Sequence, residues 1–429
     1  MRGAVTRLLN TGLRSLTLGV RFLFIFFLAR YLDPAGVGYY GLFTAAIGYA
    51  IYFVGLDFYV YITREILKAP EAERGRLLKT QSCLAAVLFL VVAPAAIGIL
   101  WSAGWPPTLL WWFLPILLCE YANQEIYRLL IALGRQISAS LLHFSRQGLW
   151  AIAVLIVMPL WPESRNLTTV FVLWGLSGAL TLSIGVTLIA RMRFGGWRDA
   201  VDLTWLRRGI IVSLAFLVAT LALRGVQTLD RFWLEDLAGI ETVAAYVLFI
   251  GVASALMTFL DAGVFAFGYP ELIRLHHAGD TSEFRITLRR MLVQTIAISA
   301  VFSVLSWLAL PVLLDWIGNP VYVAQRGLFP FLVLAMTINA LGMVPHYALY
   351  ARGRDRPIIY SHLAAFALFA LVTWGLTMSL PTEQRALAVP LGLIAAFFLV
   401  LLWKTLALFT PGDTGPVSPP APHKMAHSR

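Results

Sequence analysis

The sequence predicts an all-α membrane protein with about twelve transmembrane helices in two six-helix lobes. Hydrophobic residues make up 59% of the 429 residues, charged residues make up 13%, and the mean hydropathy is +0.79. A soluble domain averages about 25% charged residues, so a chain this poor in charge cannot cover a water-facing surface. The net charge of +11 does not indicate nucleic-acid binding, because the basic residues lie in short segments between apolar runs.

Apolar segments of about 20 residues, the length that crosses a bilayer, recur along the whole chain. The first is expected to be retained rather than cleaved as a signal peptide, because Arg14 and Arg21 interrupt it and no small-residue cleavage site follows. The Pro-rich polar tail at 411–429 is predicted to be disordered. We place the spans at 12–32, 38–62, 81–102, 108–130, 140–161, 168–190, 209–230, 240–266, 291–314, 326–349, 358–380 and 387–409.

The loops on the two sides of these spans differ in charge. One set carries most of the chain's 33 basic residues, which predicts that this side and both termini are cytoplasmic. The loops on the other side are short and contain only five basic residues, one each at Arg30, Arg165, Arg231, Arg326 and Arg385. Loops this short leave no room for a large extramembrane domain, which disfavours an integral-membrane polysaccharide polymerase or ligase.

The two halves of the chain show a weak internal similarity. Tyr40 and Glu65 recur as Tyr246 and Glu271 at a constant offset of 206 residues. Equal numbers of spans on each side of the midpoint favour a duplicated transporter with the pathway between its halves. We therefore predict an N-terminal lobe at 1–190, a cytoplasmic linker at 191–208, a C-terminal lobe at 209–410 and the tail at 411–429.

Charged and amide side chains inside the predicted spans are candidates for lining this pathway. A charge near the bilayer centre costs about 2.5–3.5 kcal/mol on insertion scales, so it usually faces a cavity or a partner. Guanidinium groups form bidentate bonds to phosphate, which favours a cationic cavity for a ligand with phosphate or pyrophosphate and hydroxyl-rich groups. The alternative is that these residues pair with acidic side chains and hold helices together. The candidate substrate-binding residues are Arg14, Arg21, Glu120, Gln124, Arg128, Arg146, Arg224 and Gln227.

Three acidic residues within the predicted spans, Asp57, Asp230 and Asp261, are candidates for ion coupling or for structural ion pairing. His346 lies near the end of a span, and we expect an interfacial or solvated side chain. No histidine has metal-ligand spacing, so we predict no metal site. A Walker A loop and the H-E-x-x-H and G-x-S-x-G motifs are absent from the sequence, so we expect a transporter without a cofactor rather than an enzyme.

Several short motifs resemble the polysaccharide repeat-unit (O-antigen, Wzx-type) flippases. They are Ala29-Arg30-Tyr31-Leu32, Gly38-Tyr39, Gly55-Leu56, Arg64-Glu65, Asp230 and Tyr246 in LDRFWLEDLAGIETVAAYVLF, and the turns Gly134-Arg135 and Gly353-Arg354. The resemblance implies the multidrug/oligosaccharidyl-lipid/polysaccharide exporter fold, with two six-helix lobes in a V and alternating access. Asp57, after Gly55-Leu56, is not part of the family pattern.

The resemblance further implies a cargo and a location. The cargo would be an undecaprenyl-diphosphate-linked oligosaccharide that moves from the cytoplasmic to the periplasmic leaflet of a bacterial inner membrane, with other polysaccharide-assembly membrane proteins as partners. A multidrug exporter and a lipid II flippase on the same fold remain alternatives. Five arginines within the spans disfavour the first, because a site for cationic drugs should be acidic and aromatic.

Overall fold

A computed structural model of the chain describes residues 2–410, apart from the side chains of residues 2–11, 14, 215, 219 and 223. The predicted disordered tail and the Arg14 side chain therefore lie outside the described residues. Within the described range the chain is helical and contains no β-strand. The helices are α1 (Arg2–Tyr31), α2 (Pro34–Gly55), α3 (Tyr59–Lys68), α4 (Glu71–Ser102), α5 (Pro107–Ala132), α6 (Gln136–Phe144), α7 (Trp150–Leu160), α8 (Leu167–Arg191), α9 (Leu203–Ala238), α10 (Ile240–Leu260), α11 (Ala266–His277), α12 (Thr281–Ile317), α13 (Pro320–Ala324), α14 (Phe329–Ala351), α15 (Asp355–Ser379) and α16 (Ala388–Phe409).

Ten helical segments of the described chain are long and apolar enough to cross a membrane. Two of them, Gln136–Leu160 and Ile240–His277, join two α-helices through a π-helical turn. α1 and α5 have 30 and 26 residues but are not among the ten, and both carry the charged side chains noted above. The structure confirms a multi-pass α-helical membrane protein, whereas the count of twelve spans stays a prediction.

The predicted spans 38–62 and 240–266 are not continuous α-helices. α2 stops where Leu56 and Asp57 adopt left-handed φ angles of 47° and 52°, and α3 follows at once. α10 passes into a π-helical turn at 261–265 before α11 begins. Since α2 starts at Pro34 and α10 at Ile240, the offset between the two interrupted helices is the same as in the sequence repeat. The lobe boundaries drawn from that repeat stay a prediction.

α2 and α10, one from each predicted half, approach each other closely near their first turns. A Cβ atom at Gly38 would lie 2.3 Å from the Ile240 carbonyl oxygen, and one at Gly41 would lie 2.2 Å from Cγ2 of Val247. No side chain fits at such distances, so the approach requires glycine at both positions. Small residues commonly allow this backbone proximity in membranes, where packing rather than water exclusion drives helix association.

The largest buried cluster lies around this contact and draws side chains from both halves. Phe43 of α2 packs against Phe171, with ring centroids 4.3 Å apart, and Phe249 of α10 packs edge-on against Phe329 at 5.7 Å. The Trp150 ring stacks on Trp174 with centroids 5.1 Å apart. The aromatic pairs therefore pack α2 and α10 each against a helix of its own predicted half.

We expect Gly41→Ala to lower thermal stability, because the new methyl group overlaps Val247. Overpacking of this kind typically costs about 1–3 kcal/mol. Gly48→Ala on the same helix is the matched control, because no atom lies within 4 Å of its Cβ position and alanine favours a helix by up to about 1 kcal/mol. Melting temperatures in detergent test the difference. Equal melting temperatures for the two variants would contradict the close approach of α2 and α10.

Candidate substrate cavity

A cavity of about 480 Å³ lies between helices of the two predicted halves. α1, α2, α5, α8 and the π-helical turn Ser145–Leu149 form one part of its wall, and α9, α10, α14 and α16 form the other. Its lining residues are Arg21, Thr44, Ala45, Ile47, Gly48, Ile51, Tyr52, Glu120, Gln124, Arg146, Gln147, Trp174, Arg224, Gln227, Thr228, Asp230, Arg231, Ile250, Ser254, Met336, Leu393 and Phe397.

A buried ion pair forms one side of the cavity. Nη2 of Arg146 lies 2.5 Å from Oε2 of Glu120, and Nε of Arg146 donates to the same oxygen at 2.7 Å. The indole of Trp174 donates to the other Glu120 oxygen at 2.8 Å. Both charged residues are less than one-tenth exposed. Each neutralises the charge of the other, which would be costly to bury alone. The two charges of this pair compensate each other, while both residues line the cavity and their role in substrate binding stays a prediction.

Arg21 lies next to this pair but has no acidic partner among the described residues. Its guanidinium donates to the side-chain oxygen of Gln147 and lies 6.0 Å from the centre of the Trp150 ring. Gln147 in turn donates to Glu120 at 3.3 Å. The Arg21 side chain is exposed to the cavity, so an amide and an indole orient a guanidinium whose charge remains uncompensated.

Arg224 reaches the cavity from α9, in the other predicted half. Its side chain is exposed and makes no hydrogen bond or ion pair with the described residues. Gln227 lies one turn further along the same helix and is also exposed. Arg21 on α1 and Arg224 on α9 thus face the cavity from the two predicted halves, each without an ion pair to a described residue.

Asp230 and Arg231 occupy the next turn of α9. The Asp230 carboxylate is buried, and it accepts hydrogen bonds from the Tyr246 hydroxyl at 2.5 Å and from the Arg231 backbone N–H at 2.8 Å. Arg231 donates to the Gly41 carbonyl at 3.0 Å and to the Thr44 hydroxyl at 3.4 Å. These bonds connect α9 to α2 and α10 at the wall of the cavity.

Most of the candidate residues from the sequence meet at this one cavity. Arg128 does not line it. Its guanidinium lies 2.7 Å from Oε1 of Glu125, its neighbour at i−3, and 3.6 Å from the centre of the Tyr59 ring. Glu125, which also accepts from Gln81 at 2.7 Å, therefore holds Arg128 away from the cavity. The candidates that do line it are Arg21, Glu120, Gln124, Arg146, Arg224, Gln227 and Asp230.

Asp57 and Asp261 also lie outside the cavity lining. Asp57 is buried at the break after α2, and Asp261 is exposed at the start of the π-helical turn after α10. Neither forms an ion pair with a described residue. The described residues contain no cluster of His, Cys, Asp and Glu that could hold a metal ion.

Some lining residues are not among the sequence candidates. Arg231 is predicted in an outer loop, but α9 continues to Ala238 and carries it into the cavity wall. Its spacing of seven residues from Arg224, two helical turns, was the signal that both share a face. Trp174, Thr44 and Ser254 have no such signal, because isolated polar or aromatic residues in apolar spans are usually packed against a neighbouring helix.

On the predicted outer side, the two halves are in contact. The Trp105 ring lies parallel to Phe232 with centroids 6.3 Å apart. Arg30, predicted in an outer loop, donates to the Trp316 carbonyl, and its guanidinium lies 5.1 Å from the centre of the Trp316 ring. Together with the Gly38 and Gly41 contacts, these interactions close the outer ends of the helices.

The model of the polysaccharide biosynthesis protein family matches residues 8–276. No curated protein sequence matches the chain. Among solved structures, the lipid II flippase MurJ in an inward closed conformation matches with a TM-score of 0.72 at 10% identity, over 94% of this chain and 88% of MurJ. The inward-facing conformation of a multidrug resistance MATE family transporter of the MOP superfamily gives 0.71 at 12% identity, over 90% and 94% of the two chains. The matched folds are those of transporters and a flippase rather than enzymes, as the sequence predicts.

Two conformations of a multidrug resistance MATE family transporter match the chain with different TM-scores. The outward-facing conformation of a multidrug resistance MATE family transporter of the MOP superfamily gives a TM-score of only 0.53, at 12% identity and 94% coverage of both chains. The two TM-scores differ, and at 12% identity both likenesses establish the shared fold.

We expect Glu120→Leu to destabilise the protein strongly, because it leaves Arg146 buried without a counter-charge. Breaking a buried pair in this way costs about 3–5 kcal/mol, whereas replacing both partners with apolar residues is often nearly neutral. The double variant Glu120→Leu, Arg146→Met should therefore recover most of the stability. Thermal unfolding in detergent measures both variants.

The matched control is Glu65→Leu, which breaks an ion pair with Lys68 at 3.2 Å on an exposed turn. An exposed pair contributes about 0–1 kcal/mol, so this variant should melt close to the wild type. A double variant as unstable as Glu120→Leu alone would contradict the view that the pair is structural.

Proposed function

The chain belongs to the polysaccharide biosynthesis protein family, and from this premise we propose that it is a flippase for undecaprenyl-diphosphate-linked oligosaccharide repeat units. The repeat units move from the cytoplasmic to the periplasmic leaflet of a bacterial inner membrane, for assembly of a surface polysaccharide such as the O-antigen of lipopolysaccharide. Both termini are then cytoplasmic, and the partners of the protein are the bilayer and other polysaccharide-assembly membrane proteins.

The observation that carries this proposal is the pair of uncompensated arginines, Arg21 and Arg224, on opposite sides of one cavity. A diphosphate diester carries two negative charges and several acceptor oxygens, and each guanidinium can bind two of those oxygens. Charges that are costly in the bilayer are retained where they face a functional cavity. We assign the diphosphate of the cargo to these two residues.

The remaining polar residues of the cavity suit the sugars. Gln124 and Gln227 present amide groups that both donate and accept hydrogen bonds, and Ser254 and Thr44 present hydroxyls. Trp174 offers an aromatic edge to the same space. A cavity of about 480 Å³ has room for only a few sugar rings, so the longer part of an oligosaccharide extends towards the open side, and the lipid chain stays in the bilayer.

Transport requires the two predicted lobes, residues 1–190 and 209–410, to move relative to one another around this cavity. The outer contacts between Trp105 and Phe232 and between Arg30 and Trp316 would break, and the inner ends would close. Binding of one diphosphate by arginines from both lobes supplies a reason for them to approach. The cargo itself then favours the change in conformation.

The two alternatives on this fold differ in the chemistry of the cargo. An exporter of cationic drugs needs acidic groups in its site, but both acidic residues of this cavity, Glu120 and Asp230, are already bound to donors of the protein. Lipid II, the cargo named for the MurJ structure, differs from our proposed cargo in its glycan and not in the need for an anion site. A direct comparison of probes separates these possibilities.

We expect Arg21→Gln and Arg224→Gln each to weaken binding of undecaprenyl-diphospho-N-acetylglucosamine to the purified protein. Loss of a charge-assisted hydrogen bond costs about 1.5–3 kcal/mol, which corresponds to a roughly 10- to 150-fold higher Kd. Arg290→Gln is the control, because Arg290 is an exposed arginine on α12 outside the cavity. Calorimetric titration or native mass spectrometry in detergent gives the three affinities.

Parallel titrations with undecaprenol, lipid II and the cationic dye ethidium define the specificity. Undecaprenol should bind weakly, since it lacks the diphosphate, and ethidium should not compete. Wild-type affinity for both arginine variants would rule out the site, and tighter binding of ethidium than of the diphosphate would support a drug exporter. A strong preference for lipid II would assign the chain to that cargo.

A further inference from the structure

A second group of titratable side chains lies away from the cavity, among α14, α15 and α16. The ammonium of Lys404 donates to Nδ1 of His346 at 3.2 Å and to Nε2 of His362 at 3.3 Å. Lys404 is 1% exposed. No carboxylate of the described chain pairs with it, since no ion pair involves this residue. His346, expected to be interfacial or solvated, is half-buried and hydrogen-bonded to this lysine.

A lysine buried in a membrane protein normally has a counter-charge or reaches water at the interface. Lys404 does neither, because two imidazoles are its only polar partners among the residues that the structure describes. Each imidazole has one nitrogen that accepts a hydrogen bond when the ring is neutral. A second proton on either ring would place two like charges about 3.2 Å apart, so the cluster holds a single positive charge.

Loss of that one proton leaves three neutral nitrogen groups that can still hydrogen-bond to one another, because a neutral amine both donates and accepts. The cluster thus has two charge states that fit the same geometry. His346 and His362 are only partly buried and lie within about two turns of the inner ends of α14 and α15. A proton can therefore pass between Lys404 and water on that side through either ring.

The other charged groups near α16 do not take part in the cluster. Arg352 and Arg354 bind the last carbonyls of α16, at Leu408, Ala407 and Thr410. The elements that pack on α16 carry further charges. Asp355 and Arg356 are exposed in the first turn of α15, and Arg356 lines a surface pocket with Leu402, Trp403 and Leu406 of α16 but forms no hydrogen bond to Lys404. The others lie before the helix (Glu383 and Arg385), in the cavity wall (Arg224, Asp230 and Arg231) and near the two ends of α9 (Arg207, Arg208, Glu235 and Asp236). His346 from α14 and His362 from α15 are the groups that face Lys404.

The cluster is linked to the cavity through α16. Phe397 lines the cavity, and Lys404 follows it by seven residues, which is two helical turns on the same face. When Lys404 loses its charge, its hydrogen bonds to His346 of α14 and His362 of α15 are no longer charge-assisted. The contact of α16 with these two helices therefore changes two turns from the cavity wall. Met336 of α14 also lines the cavity, so two of the three helices of the cluster reach both sites.

We propose that Lys404, His346 and His362 form a proton-exchange site that links proton binding to cargo binding in the cavity. The inference rests on the proposed function, since it takes the cavity as the cargo site. In the exchange one N–H bond of the Lys404 ammonium breaks and the proton passes to an imidazole nitrogen and then to water, or returns by the same route. No other reactant is needed.

Calorimetric titration with undecaprenyl-diphospho-N-acetylglucosamine in buffers of different ionisation enthalpy measures protons taken up or released on binding. The probe is a diester without a titrating group between about pH 6 and pH 9. We expect a fraction of a proton, up to one, to exchange in the wild type, with Kd changing by up to about tenfold per pH unit. Lys404→Met, which keeps the side-chain length, should abolish both effects, and Lys68→Met, at an exposed lysine, should keep them.

His362→Gln provides a second variant in case Lys404→Met does not fold. It keeps a neutral acceptor but removes one of the two imidazoles that bind Lys404, so the pH dependence of Kd should shift from that of the wild type while the melting temperature stays close to it. Binding without proton exchange in the wild type, or unchanged exchange in Lys404→Met, overturns the proton site and leaves the proposed function intact.

A cargo-free measurement separates the two proposals if the probe fails to bind, a result that would count against the proposed function. Nitrogen-15 spectra of histidine-labelled protein report the protonation of each ring as pH changes. Two histidine signals should titrate differently in Lys404→Met than in the wild type, because the neighbouring charge is gone. Identical titrations in the two proteins would overturn the proton site.

Discussion

A charge within a bilayer must find a partner or face water, and this requirement organises the helices around the cavity. Arg146 is placed by Glu120, and that carboxylate also accepts the Trp174 N–H, so α5, α8 and the π-helical turn after α6 meet at one buried group. Gln147 donates to the same carboxylate and accepts a hydrogen bond from Arg21 of α1. The charges of Glu120 and Arg146 compensate each other within the protein, whereas Arg21 and Arg224 face the cavity without an ion pair to a described residue. The cationic character of the site is thus a consequence of which charges the fold has already neutralised.

Helical periodicity was sufficient to predict much of this site. Arg21, Arg224 and Gln227 follow from polar faces on otherwise apolar helices, and Glu120 and Arg146 follow from the cost of charge in lipid. The sequence could not show which of the arginines would be captured locally. Arg128 forms an ion pair with Glu125 one turn away and does not reach the cavity. This pairing depends on side-chain direction rather than on position in a span. The predicted span ends at residue 230 and places Arg231 in a loop, whereas α9 continues to Ala238. The overall class, a multi-pass α-helical membrane protein, is predictable because the high apolar and low charged fractions of the composition indicate it.

The interruptions and close contacts were less accessible to sequence reasoning. A run of apolar residues predicts a span, but it does not reveal the left-handed break at Leu56 and Asp57 or the π-helical turn after α10. The cluster at Lys404 was missed for a related reason. A single lysine near the end of an apolar run normally reaches the interface, and only the packing of α14, α15 and α16 shows that this one points inward between two histidines. Pairings between distant segments have no local signature in one sequence.

The same contacts that shape the cavity also close it on the outer side. Arg231 has one face in the cavity wall, yet it donates to Gly41 and Thr44 of α2, next to the glycine that lets α2 and α10 touch. Any movement that parts α2 from α9 on the outer side must break these bonds and expose a third guanidinium. Arg231 therefore belongs both to the wall of the cavity and to the contacts that hold α9 against α2. Under the proposed function, an anionic cargo offsets the charge of this arginine during the movement. Cargo binding and opening of the outer contacts then both depend on the charge of Arg231.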